Sequence, residues 1–578
     1  MLYLLWNRYQ IKELKFVIKN KKWWQKEIFY QIYPASFKDS NNDGIGDIQG
    51  IISKLSYLKN LGVNVLWLSP VYQSPMVDNG YDISDYFKIN PIFGNMKDFD
   101  ELLKKVHQLG MKLIMDLVVN HTSDQHPWFK KALKDPSSKY RNYYIFKKGD
   151  GDNPPNNWRS NFGYGSAWER VGVSNDYYLH VFSKQQPDLN WENPELRNEI
   201  YKMINWWLDK GVDGFRVDAI TFIKKDQDFK SLPADGPDGL VQVKKKTENR
   251  PGIEKFLREM RDRCFKGRKI VTVGETSGLK YSDFPTYIGD HGVFSMAFDF
   301  HYADIDVESG SEWYKRTDWK PKDLRKLIDA SQESIEQTPG GWSANFLENH
   351  DQPRSVSKYI CSLSYRNNGI GAKALAIMYF FLRGCPFIFQ GQELGLQNFE
   401  REDISEFNDV SSISNYEQML KLGISPKQAL HYINLRSRDN GRTPFPWNND
   451  VNNGFNNGTK PWLKLNENVG NSTAKDELQD KQSVLNFYRR LISLRNNPDY
   501  SDGLIYGDYK EISDLPDKVV GYQRGKDYEV LVNMSEEKQR LPCAKVKILV
   551  SNYSEQHEVD QNLELKAYEA VLIKKVEE

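Results

Sequence analysis

Cysteine is scarce in this chain: four in 578 residues, at Cys264, Cys361, Cys385 and Cys543. They lie far apart and show no metal-ligand spacing. A secreted disulfide framework would be denser, so reduced thiols and a cytoplasmic setting are expected. An excess of either charge is missing too, with 79 basic against 78 acidic side chains. That balance gives no electrostatic footprint for a polyanion, and nucleic acid is excluded as an expected partner. No apolar run approaches about 20 residues, so no membrane span and no membrane partner are expected. The short apolar start, residues 1–6, runs straight into Asn7, Arg8 and a Lys-rich stretch without a small-residue cleavage site. Residues 1–22 therefore read as a poorly ordered extension and not as a signal peptide. No G-x-G-x-x-G follows the first strand-like run, which argues against a dinucleotide-binding fold. No short internal repeat is evident.

What is present is a folded-protein composition, 39% hydrophobic and 27% charged. Aromatic residues reach 13%, with 15 Trp and 32 Tyr. Flat rings can stack on sugars, and a large core can equally use them for packing. The informative pattern is alternation. Strand-like runs at 28–34, 63–68, 112–118, 212–217, 269–274, 294–298, 343–347 and 386–390 are interleaved with helical patterns at 51–61, 99–109, 194–210, 251–264, 321–331 and 372–382. Alternating strands and helices predict parallel pairing, and eight strands predict a closed (β/α)8 barrel, an α/β TIM barrel. The Asn-, Pro-, Gly- and Trp-rich stretch after the third strand, 122–193, reads as an inserted subdomain. Residues 392–470 read as loop-rich, with Asn–Asn and Asn–Gly turn signals. A helix over 482–495 closes the barrel, which spans 23–121 and 194–498. The remainder, 499–578, carries strand-like runs at 519–523, 528–532 and 546–550. It is expected to be a C-terminal antiparallel β-sandwich domain.

In such a barrel the active site lies where the strands end. Strand three runs through Asp116 to Asn120 and His121. Strand four runs through Arg216 to Asp218. Strand five ends on Glu275, and strand seven leads to His350 and Asp351. A single acidic residue there is an ordinary helix N-cap. Four on one rim, with an arginine and two histidines, are a costly concentration of charge that persists for a reason. Cleavage of a glycosidic bond explains it, since that reaction needs an ionised carboxylate as nucleophile and a protonated carboxyl as acid. Arg216 would help keep Asp218 ionised, and Glu275 would keep its proton through like-charge neighbours and partial burial.

The segments Asp116-Leu-Val-Val-Asn-His121, Gly214-Phe-Arg-Val-Asp218, Gly274-Glu275 and Asn349-His-Asp351 resemble the ordered sequence regions of the α-amylase superfamily, glycoside hydrolase family 13. Gln186-Pro-Asp-Leu-Asn-Trp191 resembles a region that marks its oligo-1,6-glucosidase branch. The resemblance runs from about Trp23 to the C-terminus. It implies a barrel with a B domain after strand three and a C-terminal β domain. It implies a retaining mechanism in which Asp218 is the nucleophile, Glu275 the general acid and base, and Asp351 the third carboxylate that holds the sugar. His121 and His350 match sugar-binding histidines, and Arg216 the arginine beside the nucleophile. Asp78 and Arg438 resemble the pair that closes the bottom of the pocket, so that single glucose units are removed from a non-reducing end. Tyr81 matches a platform under that glucose. Phe162, Phe182 and Gln186 match wall positions, ordinary core packing being the other reading for the aromatics. The expected partner is a small oligosaccharide, and the protein is expected to be a monomer without an organic cofactor.

The stretch Asp39-Ser-Asn41-Asn-Asp43-Gly-Ile45-Gly-Asp47 places oxygen ligands at alternate positions around Gly44, as a chain wraps a hard cation. It starts like an EF-hand, but its twelfth position is Gly50. A metal-free Asn/Asp/Gly turn is the plainer reading. The branch resemblance implies a structural Ca²⁺ or Mg²⁺ held by Asp39, Asn41, Asp43, Asp47 and the Ile45 carbonyl.

Branch members that favour α-1,6 bonds carry Val after the nucleophile. Here the residue is Ala219, and its smaller side chain leaves room for an α-1,4-linked leaving sugar, so hydrolysis of both bonds (isomaltose, panose and maltose types) is expected. Related sucrose isomerases carry Arg-Leu-Asp-Arg-Asp where this chain has His301-Tyr-Ala-Asp-Ile305, a departure that argues against isomerisation. A trehalose-6-phosphate hydrolase or a sucrose-active relative stays open as the alternative. A non-catalytic relative would need a membrane span and would lack the carboxylates present here.

Overall fold

In the computed structural model the described residues are 21–162, 165–308, 310, 312–467, 472–553 and 558–576. The expected N-terminal extension therefore lies outside the described residues except for its last two. Eight short strands close into one barrel: β1 (Phe29–Ile32), β2 (Val65–Leu68), β3 (Lys112–Val118), β4 (Gly214–Asp218), β5 (Val271–Glu275), β6 (Met296–Phe298), β7 (Ser343–Asn345) and β8 (Cys385–Phe389). Neighbours pair in parallel in sequence order, and β1 returns to β8 through Phe29 opposite Phe387. Both faces of each strand are covered. The β-branched and aromatic runs in the sequence are continuous for that reason and do not alternate with polar residues. The barrel interior is filled by side chains such as Phe29, Trp67, Val273, Phe298 and Phe387.

The surrounding helices follow their local signals. Helix α2 (Met96–Gln108) begins at Asn95, whose side chain accepts from the Lys97 and Asp98 amides, and it buries Phe99, Leu102, Leu103 and Val106 at helical spacing. It is preceded by α1 (Leu55–Leu61); the helix expected over 51–61 is divided at Lys54, its first residues belonging to a separate helix, Ile48–Ser53. Then come α3 (Pro194–Lys210), α4 (Ile253–Met260), α5 (Pro321–Gln337) and α6 (Ile370–Phe380). The stretch expected to be loop-rich also holds two helices, α7 (Val410–Lys421) and α8 (Pro426–Arg436). They bury Met419, Ala429 and Ile433 against Trp313 and Phe407 in a small satellite core. So few apolar positions leave only a faint helical period in the sequence. Helix α9 (Val484–Asn496) packs back on α6 and α1.

The insertion after β3 contains a three-stranded antiparallel sheet, Phe146–Lys148, Asp176–Leu179 and Trp168–Arg170. A further strand of it, Trp158–Arg159, pairs with Val241–Gln242 from the loop after β4. Barrel and insertion thus share one apolar cluster that includes Trp158, Trp168, Leu179, Val243, Phe222 and Ala219. The C-terminal β domain is a six-stranded antiparallel sheet in the order β9 (Tyr509–Glu511), β10 (Val519–Arg524), β11 (Tyr528–Asn533), β14 (Ala570–Lys575), β12 (Gln539–Ser551) and β13 (Glu558–Leu565). Two register shifts in the long β12 let the single sheet curl over its own core of Leu531, Leu541, Ile548, Leu563 and Ile573. The other face, with Val520, Tyr522, Val530 and Leu572, joins the barrel's core. Among the described residues no helix is long and apolar enough to cross a membrane.

Candidate active site

The strand ends bring the acidic side chains together as the spacing predicted. Asp218 and Glu275 are the last residues of β4 and β5, and Asp351 lies on the loop that leaves β7. Arg216, two residues before Asp218, is buried and serves three carboxylates. Its Nη1 donates to Asp116 at 2.8 Å and to Asp218 at 2.6 Å, and its Nη2 lies 2.7 Å from Glu275. The Ala219 amide donates to the other Glu275 oxygen at 2.6 Å. Ala219 itself has φ 42° and ψ 34°, a left-handed conformation that turns the chain sharply after Asp218. Burial, reinforced by the Glu275 and Asp116 charges, raises the Asp218 carboxyl well above its ordinary range against the pull of Arg216. Arg216 thus acts in the expected direction, and burial outweighs it. Three carboxyl groups thus converge on one guanidinium.

Asp351 behaves oppositely. Burial alone would raise it, but His350, Arg438 and Arg442 hold it well below the usual carboxylate range. Its Oδ1 accepts from Arg442 at 2.9 Å and from Arg438 at 3.2 Å, and His350 Nε2 is 3.0 Å from its Oδ2. Arg438 also donates to Asp78 at 2.8 Å and to Asp409 at 2.8 Å. The second Asp78 oxygen accepts from Gln186 at 3.0 Å, and the Gln186 amide is 3.2 Å from His121 Nε2. Tyr81 stacks on His350 with ring centroids 5.2 Å apart and donates to Asp116 at 2.9 Å. Phe182 packs edge-on to His121 and against Phe162, which lies under the Arg438 guanidinium.

These groups enclose a cavity of ≈ 210 Å³ lined by Asp78, Tyr81, His121, Phe162, Phe182, Gln186, Asp218, Ala219, Glu275, Asp351 and Arg438. That is smaller than the roughly 300–1,000 Å³ of pockets for drug-sized ligands, and it suits one sugar ring. Of the expected site residues, Arg216 and His350 stand behind this lining and act through the groups in front of them. Several lining residues had no strand-end signal, among them Phe222, Glu248, Phe300, Trp313 and Gln352. Asp409 and Arg442 also escaped notice. Asp409 reads as the N-cap of α7, and it does cap Ser411 and Ser412. The cluster Arg436, Arg438 and Arg442 within seven residues was the available signal for the other.

The 39–47 loop lies elsewhere, since none of its residues lines the cavity. Asp39 accepts from the Asn42 and Gly44 amides and from Asn456, and Asp47 accepts from Ser40 and Gly50. Asp43 accepts from the Ile45 amide and from Asn41. Among the described residues no three His, Cys, Asp or Glu side chains are grouped for a metal. A cation there would need the Asn41 amide oxygen and the Ile45 carbonyl to complete its shell.

Carboxylates converging at the C-terminal rim of a closed parallel barrel stand where barrel enzymes carry their active sites, and comparison with known proteins identifies the family. The model of the α-amylase catalytic domain matches residues 31–503. The chain is 40% identical to the oligo-1,6-glucosidase of Bacillus cereus, covering 96% of this chain and 99% of the relative. Among solved structures it superposes on a trehalose-6-phosphate hydrolase of Bacillus licheniformis with TM-score 0.88 at 39% identity, covering 96% of this chain and 100% of that one. It also superposes on the isomaltulose synthase of Klebsiella sp. LX3 with TM-score 0.89 at 37% identity, with the same coverage. The chain belongs to the α-amylase family, glycoside hydrolase family 13, and is an enzyme of that family.

Proposed function

We propose that this protein is a retaining, exo-acting α-glucosidase that removes single glucose units from the non-reducing ends of short α-1,6- and α-1,4-linked oligosaccharides. The observation that carries the reading is the closed floor of the cavity. Arg438 bridges Asp78 at 2.8 Å and Asp351 at 3.2 Å, and Gln186 seals the other side of Asp78. A chain cannot thread past that floor, so only a terminal residue reaches the carboxylates. The similarity to an oligo-1,6-glucosidase supports the same substrate class.

In this reading the Asp218 carboxylate attacks the anomeric carbon while Glu275 gives its proton to the glycosidic oxygen, and the leaving sugar departs with that proton and the bonding electron pair. Water then attacks the glucosyl–Asp218 ester, gives a proton to Glu275, and releases glucose. Asp218 and Glu275 sit side by side on one guanidinium, which supports the roughly 5–5.5 Å spacing of a retaining pair. Asp351, kept ionised by its cations, accepts sugar hydroxyls. His121 holds the glucose, Tyr81 lies beneath it, and His350 positions Tyr81 and Asp351 from behind. A structural Ca²⁺ or Mg²⁺ in the 39–47 loop belongs to the proposal. Its donors are hard oxygens, and the buried Asp39 and Asp47 have no Lys or Arg within ion-pair distance among the described residues.

A substrate panel of maltose, isomaltose, panose, sucrose, trehalose 6-phosphate and starch tests the reading. Glucose should be released from the first three, with inverted-to-retained analysis showing α-glucose. Asp218→Asn should lose about four orders of magnitude or more in kcat. Preference for trehalose 6-phosphate or sucrose, or inactivity on every member, would overturn it.

A further inference from the structure

One carboxylate in the cavity has no part in the chemistry above. Glu248 lines it together with Lys244 and Ser277. Its Oε1 accepts from the Ser277 hydroxyl at 2.9 Å. Ser277 follows Glu275 by two residues, so this pair sits beside the group that protonates the leaving oxygen. Glu248 is held in place by its neighbour. Asn249, at φ 49°, donates from its backbone to the Thr221 carbonyl at 2.8 Å and from its side chain to the Ser277 carbonyl at 3.1 Å. Tyr287 donates to the Asn249 side chain at 2.9 Å. Gly278 completes the seat, because a Cβ there would come within 2.4 Å of the Glu248 carboxyl. Thus the loops after β4 and β5 are tied together by three hydrogen bonds, and the result is a fixed carboxylate facing the leaving side.

We infer that Glu248, positioned by Ser277, is a specificity residue that accepts a hydroxyl of the sugar on the leaving side of the scissile bond. The inference rests on the α-glucosidase reading and names its leaving group: a neutral, hydroxyl-bearing sugar. A carboxylate takes two hydroxyl protons and cannot donate any. A phosphorylated leaving sugar would meet a like charge at Glu248, a repulsion that Lys244 beside it offsets only in part. Burial pushes the Glu248 carboxyl up, opposed by Lys244, so the group is desolvated and its hydrogen bonds count for more than at the surface.

The test compares isomaltose with 4-nitrophenyl α-D-glucopyranoside, whose leaving group carries no sugar hydroxyls. In Glu248→Gln the ratio of kcat/KM for isomaltose over the aryl glucoside should fall about tenfold or more, the worth of a hydrogen bond to a charged group. Ser277→Ala should lower the same ratio by a smaller factor. A ratio within twofold of the wild type in Glu248→Gln, with an unchanged melting temperature, would overturn the inference. So would equal losses on both substrates, which would mark Glu248 as a structural support. Wild-type protein inactive on both substrates would instead overturn the parent reading.

Discussion

Ala219 shows how one residue couples chemistry, packing and backbone. It follows Asp218, donates its amide to Glu275, lines the cavity, and belongs to the apolar cluster that joins barrel and insertion. Its left-handed φ of 42° is tolerable for a small side chain and poor for a β-branched one. Ala219→Val should therefore raise the isomaltose-to-maltose ratio of kcat/KM and also destabilise the fold by roughly 1–3 kcal/mol. Paired kinetics and thermal melts check both. A ratio that stays put would discard the steric account, and an unshifted melt would discard the strain account. Arg216 and Arg438 illustrate a second residue-scale point. Each is buried and each serves three carboxylates, so neither is exchangeable for a lysine, whose donors radiate from one nitrogen and cannot span the separated positions of a guanidinium's nitrogens.

At the scale of elements, the barrel strands are only three to seven residues long, and each must meet both neighbours in register. Gly214 opens β4 with φ 143°, and a Cβ on it would sit 1.7 Å from the Val271 carbonyl of β5. Since β4 and β5 end on Asp218 and Glu275, any shift here also moves that pair of carboxyl groups. Gly214→Ala should cost roughly 4 kcal/mol or more, seen as loss of soluble protein or a steep fall in melting temperature. A variant that melts like the wild type would show that the strand pair can slide, contrary to the tight register. The eight strands were legible because a fully buried parallel strand leaves an unbroken apolar run. Helices α7 and α8 were not, because most of their surface faces away from the main core and their apolar period is weak. Yet they place Ser411 and Arg436 in the cavity's lining, with Asp409 behind it on Arg438.

Across the whole molecule, the loop after β1 is bonded to the distant 455–459 segment through Asp39–Phe455, Asn456–Asp39 and Asn457–Asn42 contacts. A cation in the 39–47 loop would therefore stabilise the fold without touching catalysis. Chelation should lower the melting temperature by several degrees, with Ca²⁺ or Mg²⁺ restoring it. Saturation at a hundred times the dissociation constant contributes about 2.7 kcal/mol. A melt indifferent to chelator and to both ions would remove the metal from the account. The division between sequence and structure follows the same line. The order of strands, the barrel, and the meeting of Asp218, Glu275 and Asp351 at one rim could be read along the chain, since they depend on local apolar runs that lead to acids. The closed floor, the pairing of Asp409 with Arg438, and the Glu248–Ser277 seat join residues 29 to 360 positions apart. Only the folded barrel decided those, because such contacts leave no period in the sequence and arise when separate strand ends converge on one rim.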